Sequence, residues 1–218
     1  MEIADNILKA LLQNCYFLNG TAYAGKSTMV RLLAQRHNGI ECGENYHDVL
    51  MEAIDPRHQP SLGYFQTMSG WVEFLSRTPE EYVAWLDGCS REAAELEIVQ
   101  LLRLSQSEKK IFVDTNISPE RLQKIAPWDH VAILLSPQSL SVERFFDRED
   151  PEKQFLLRKL REMPETEKAL ANFRACIALA NSPERYEAFA DSGFFTCLRT
   201  EESTIEETLG RLEAHFGL

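Results

Sequence analysis

Few short stretches limit a fold as tightly as Cys15 to Met29, CYFLNGTAYAGKSTM. Gly20 is followed by four spacers and then Gly25-Lys26-Ser27, the pattern G-x4-G-K-S. Glycines permit backbone angles that let successive amides curl around an anion. Lysine adds a mobile positive charge, and the following hydroxyl suits a magnesium ion. The flanks agree with this chemistry. Tyr16-Phe17-Leu18 is an apolar run fit for a buried strand, and Val30, Leu33 and Ala34 recur at helical spacing over Ser27 to His37. Asn38-Gly39 then stops that helix. A strand, a glycine loop and a helix in this order bring the helix N-terminus to the same anion.

Composition narrows the partners. The chain has 218 residues, enough for one domain with a mobile subdomain. It carries 23 basic and 34 acidic residues, net −11, which argues against a nucleic-acid polymer or an anionic membrane as partner. The start, with Glu2 and Asp5, lacks the basic character of a secretory signal. The longest clean apolar run, Val131 to Leu135, is too short to span a bilayer. Cys15, Cys42, Cys89, Cys176 and Cys197 form no C-x-x-C pair, so reduced thiols and a cytoplasmic location are expected. Monomer and homodimer both remain open.

Further elements follow in order. Residues 1–14 predict an amphipathic helix with Ile3, Ile7, Leu8, Leu11 and Leu12 on one face. A short strand over 39–44 leads into Glu41, Glu44, His47 and Asp48. Strand ends are where open α/β sheets bind ligands, so Glu44, or next Asp48, is the candidate base for a substrate hydroxyl. The aromatic-rich stretch 50–77 reads mainly as core, with stacking on a flat substrate as the other reading. Thr78-Pro79-Glu80-Glu81 opens a helix that Gly88 is expected to break, and a second helix runs from Arg91 to about Ser105 with Ala94, Ile98, Leu101 and Leu102 inward.

Ile111-Phe112-Val113-Asp114 reads as a strand whose terminal carboxylate helps hold magnesium. Ser118-Pro119-Glu120 caps a helix, and His130 to Leu135 is a fourth strand. Arg144, Arg148, Lys153, Arg158, Lys159 and Arg161 then cluster. Arg144 and Arg148 are the candidates to clamp a transferring phosphoryl group from a closing lid. Interspersed acids leave open a salt-bridged helical surface. A helix over 165–181, a strand over Phe194 to Leu198 and a last helix capped by Ser203-Thr204-Ile205-Glu206 complete the chain.

Strands alternate with helices, which predicts an α/β fold with a mostly parallel sheet. With the Gly20–Ser27 loop and the Asp114 strand end, the chain resembles the small phosphate-loop kinases, the nucleoside monophosphate, shikimate and gluconate kinase group. Arg144 and Arg148 look like that group's arginine-bearing lid. Arg91 to Glu95, in SREAAELEIVQLL, is similar to the substrate-binding arginine helix of shikimate kinases. The resemblance implies a three-layer α/β/α domain over 1–218, with five parallel strands in the order 2-3-1-4-5. It also implies a helical substrate-side insertion over about 50–105 and a helical lid over about 141–191.

ATP and Mg2+ are the implied cofactors and a small molecule the acceptor. Gly20, Ala22, Tyr23, Ala24, Gly25, Lys26, Ser27 and Thr28 would bind the nucleotide, and Ser27 and Asp114 the metal. Glu44 or Asp48 would activate an alcohol; Arg91 would instead neutralise a phosphate acceptor. Asp114 is followed by Thr115-Asn116-Ile117-Ser118, neither the glycine-aromatic-proline-arginine run of nucleoside monophosphate kinases nor the glycine triplet of shikimate kinases. The acceptor is therefore not carried over from either. N-K-x-D, D-x-x-G and L-S-G-G-Q are absent, which sets aside GTPases and transport ATPases. A nucleotide-binding regulator without useful turnover, and a phosphotransferase acting on an antibiotic or sugar nucleotide, stay open.

Overall fold

The computed structural model describes residues 3–138, 145–146, 151–200 and 202–218. Its strands are β1 (Cys15–Gly20), β2 (Ile40–Cys42), β3 (Ile111–Asp114), β4 (Val131–Leu135) and β5 (Phe195–Leu198). Its helices are α1 (Asp5–Leu11), α2 (Lys26–Arg36), α3 (Tyr64–Thr67), α4 (Trp71–Leu75), α5 (Pro79–Leu104) and α6 (Pro119–Ile125), followed by α7 (Pro151–Arg161), α8 (Thr166–Ala180), α9 (Pro183–Ala190) and α10 (Ile205–Phe216). The strands form one sheet, β2-β3-β1-β4-β5, and every pairing is parallel. Among the described residues no helix is long and apolar enough to cross a membrane.

Both sheet faces are covered, which is why β1, β3 and β4 read as continuous apolar runs rather than alternating ones. Cys15 and Phe17 of β1, Ile111 and Val113 of β3, and Val131 and Ile133 of β4 point to one side. They pack there against Leu8, Leu101 and Leu122 of α1, α5 and α6. Tyr16, Leu18, Phe112, Ala132 and Leu134 point to the other, against Val30 and Leu33 of α2 and Leu209 and Leu212 of α10. Helices on both faces make three layers. Within α1 only Leu8 is buried, with Leu12 just beyond it; Ile3, Ile7 and Leu11 are exposed, so the expected five-residue apolar face is really two residues wide.

A second body sits beside the sheet. Phe74 and Leu75, Tyr82, Leu160, Phe173 and Ile177 form a separate core, with Tyr64, Trp71 and Trp85 packed on it. The aromatics of 64–85 are therefore largely structural. The two cores are joined by α5, a single helix of 26 residues, about 39 Å long. The expected break at Gly88 does not occur. Gly88 is buried because the loop at Ser61 crosses it closely: a Cβ there would lie 2.1 Å from Ser61 Oγ. Glu92 straps the same loop by accepting from the amides of Ser61 (3.1 Å) and Leu62 (2.8 Å), and Trp85 Nε1 donates to Ser61 O at 3.0 Å.

Helix starts obey local chemistry. Thr78 and Glu81 form the expected reciprocal box at α5, and Ser118 caps α6. At α10 the cap lies one residue later than expected: Thr204 pairs with Glu207, while Ser203 Oγ accepts from Thr200 N at 2.9 Å.

Candidate active site

The loop between β1 and α2 is held open by backbone constraints. Gly20 has φ +127°, and a Cβ there would lie 1.9 Å from Leu134 O on the neighbouring strand, so only glycine fits. Tyr23 (φ +66°) and Gly25 (φ +87°) are also left-handed. For a tyrosine that geometry is costly, and Arg199 Nη1 secures it by donating to Tyr23 O at 2.9 Å. Ser136 donates through N to Thr21 Oγ1 (2.8 Å) and through Oγ to Ala22 O (2.6 Å). Lys26 Nζ reaches Thr21 O at 3.1 Å and Gly20 O at 3.5 Å. Four successive carbonyls, Gly20 to Tyr23, are thus engaged by donors. Gly25, the α2 N-cap, has no side chain to cap the helix, and the first helical amides have no partner within it. The result is an electropositive loop suited to an anion.

Two chemistry-bearing oxygens meet at its edge. Ser27 Oγ donates to Asp114 Oδ2 at 2.6 Å. Asp114 ends β3 in register with Leu18, one strand over from the loop, and is buried. A hydroxyl and a carboxylate are hard oxygen donors of the kind magnesium takes. Among the described residues no cluster of three or more His, Cys, Asp or Glu could hold a metal ion by itself. This donor set therefore fits a cation that also takes ligand oxygens, as magnesium does with phosphates.

Behind Asp114 lies a buried network that the sequence did not reveal. Glu97 of α5 is fully buried and accepts from Thr115 Oγ1 (2.6 Å), Asn116 N (3.0 Å) and Asn116 Nδ2 (2.7 Å). Asn19 Nδ2 donates to Ile117 O at 2.6 Å, and Gly20 N donates back to Asn19 Oδ1 at 2.6 Å. The loop after β3 is so tied to both α5 and the end of β1. Burial raises the Glu97 pKa, the donors oppose the shift, and the Asp114 charge adds to it. His47 Nδ1 lies 3.8 Å from Glu97 Oε1, and burial lowers its pKa. Burial first and the Glu97 charge second push the Tyr46 phenol well above its usual range.

Around the loop a cleft of about 720 Å³ opens, a normal size for a small-molecule site. Gly20, Ala22, Tyr23, Gly25, Lys26 and Ser27 line it, with Thr28 and Asp114; Ala24 is buried beneath. Glu44, exposed in the turn after β2, also lines it. Asp48 does not. It is exposed on the 3-10 helix Tyr46–Ala53, with its Oδ1 4.0 Å from His47 Nε2. Arg91 is also exposed outside the lining: the phase of α5 turns Leu86 and Ser90 into the cleft and leaves Arg91 toward Gly88. Arg144 and Arg148 lie outside the described residues. Of the basic residues expected on the lid, Lys153 lines the cleft, its Nζ 6.0 Å from the Tyr23 ring centroid. Arg199 and Glu97 were missed. Only two acids on the otherwise apolar side of SREAAELEIVQLL hinted at Glu97, and nothing local marked Arg199.

No protein-family model, curated protein or solved structure matches this chain.

Proposed function

We propose that this chain is a cytoplasmic phosphate-loop phosphotransferase, a kinase that uses ATP and Mg2+ to phosphorylate a small metabolite. The observation that carries the reading is the Ser27–Asp114 contact at 2.6 Å beside a loop whose left-handed residues let its backbone curl around an anion. Magnesium, when bound, neutralises phosphate charge as the phosphoryl group moves. Ser27 and Asp114 would hold it. Lys26 and the loop and α2 amides bind the outer phosphates, and Thr28 lies where the α-phosphate would pass. Glu44, exposed in the cleft, takes the proton from an alcohol acceptor. Lys153, which lines the cleft, supplies positive charge there, and the proposal assigns the same role to Arg144 and Arg148. The cytoplasmic assignment is supported by five free cysteines, four of them buried.

The test is transfer of labelled γ-phosphate from MgATP into a mixed library of nucleosides, nucleotides, sugars and hydroxy acids, run beside Lys26→Ala. Labelled product that is lost in the variant supports the reading. Tight MgATP binding with no product from any pool favours a nucleotide-dependent regulator instead.

A further inference from the structure

Resting on the phosphotransferase reading, we infer that the acceptor is an uncharged, ring-bearing alcohol and not a phosphate or carboxylate compound. The inference comes from the far wall of the cleft, away from the Gly20–Ser27 loop. Leu86 of α5, Ile177 of α8, and Tyr186 and Phe189 of α9 form an apolar strip there. It spans the seam between the two cores: Tyr186 and Phe189 pack on the sheet core, Leu86 and Ile177 on the helical one. Ile177 is buried and Leu86, Tyr186 and Phe189 are half-buried, so the strip belongs to the packed cores. A flat or alicyclic ring would cover it and remove apolar surface from water.

The charges point the same way. Among the described residues the charged side chains lining the cleft are Lys26, Lys153, Asp114, Glu44, Asp87 and Arg185. The first three sit on the loop side, where Lys153 lies over Tyr23 and Asp114 meets Ser27. Of the other three, Glu44 stands in the turn after β2, and Asp87 and Arg185 stand on α5 and α9 beside the apolar strip. Arg185 is ion-paired with Asp87, one cation against two acids. A phosphate acceptor needs unspent positive charge, usually a forked arginine, and among the described residues of this part of the cleft it would meet only a paired arginine and net negative charge. Other polar groups of the lining, Ser90, Asn116, Asn181 and Ser182 among them, are neutral and suit hydroxyls and carbonyls. The cleft is large enough for a ring beside a nucleotide.

In the transfer, the alcohol oxygen forms a bond to the γ-phosphorus as the bond from that phosphorus to the β–γ bridging oxygen breaks. The electron pair leaves with the nucleoside diphosphate, and the alcohol proton passes to the Glu44 carboxylate. Atoms and charge balance without any further reactant.

Paired acceptors test this on the full chain. Adenosine and uridine are compared with their own 5′-monophosphates, together with neutral aryl alcohols and hydroxy acids, using labelled MgATP and calorimetry of MgATP binding. Label should enter at least one neutral alcohol, with kcat/KM at least about tenfold above any phosphorylated or carboxylate acceptor. Preference for a monophosphate or hydroxy acid overturns the inference, as does MgATP binding with no neutral alcohol labelled; both leave nucleotide binding standing. Absence of MgATP binding removes the phosphotransferase reading itself, and the acceptor class with it.

Discussion

Ser27 and Asp114 stand 87 positions apart and meet through a 2.6 Å hydrogen bond at the carboxyl edge of the sheet. Parallel pairing of β1 with β3 makes this possible, because it sets Asp114 level with Leu18, two residues before the loop begins. The contact predicts a metal phenotype. Asp114→Asn should lower transfer by about 10²–10³-fold and raise the magnesium concentration needed for half-maximal rate. A magnesium titration of both proteins reads this; an unchanged half-saturation would remove Asp114 from the metal site.

Gly20 and Gly210 should respond oppositely to alanine. At Gly20 the new Cβ would lie 1.9 Å from Leu134 O with φ +127°, so the loop or β4 must move. The cost should be about 3 kcal/mol or more. Gly210 lies inside α10 with nothing within 4 Å of its added Cβ, so Gly210→Ala should stabilise by about 0.5–1 kcal/mol. Urea unfolding of the two variants checks both signs.

Glu97 should act on turnover through position alone. Glu97→Ala strands the buried Thr115 hydroxyl, at about 1–3 kcal/mol, and releases the more exposed Asn116 donors to water. It also frees the segment that aims Asp114, so kcat should fall about 10–100-fold with a smaller change in KM for ATP. Glu97→Gln keeps an acceptor and should recover part of kcat. Equal losses in the two variants at equal stability would leave Glu97 without a positioning role.

The buried His47 gives stability a pH slope of known sign. Burial lowers its folded pKa below 6.5, so the folded chain binds fewer protons than the unfolded chain in that window. The contribution is complete above about pH 6.5 and is lost as pH falls through the lowered folded value. Wild type should lose more stability than His47→Gln between pH 7 and pH 5. Parallel unfolding curves across that range would contradict the burial of a neutral ring.

The loop and its flanks were legible because the information is local. An apolar triplet, the G-x4-G-K-S spacing and the Val30-Leu33-Ala34 recurrence occupy one continuous stretch, and the structure keeps them as β1, the turn and α2. The end of β3 at Asp114 was legible for the same reason. Strand order could not be read from spacing; it came with the resemblance. What escaped depends on tertiary contact. Gly88 looks like a breaker until Ser61 is seen against it. Arg91 and Asp48 carry suitable charges, yet whether they face the cleft depends on helix phase and on how α5 and the 3-10 helix dock. Glu97 reads as a surface acid until Thr115 and Asn116 are placed beside it, and Arg199 meets Tyr23 across 176 positions.

The most direct measurement is calorimetric titration of MgATP into the wild-type chain and into Lys26→Ala. The account predicts saturable binding to wild type and a loss of at least about 100-fold in affinity in the variant, whose fold should be intact because Lys26 bonds only loop carbonyls. Equal affinity in the two proteins, or no binding to wild type, would contradict the claim that the Gly20–Ser27 loop holds a nucleotide's phosphates.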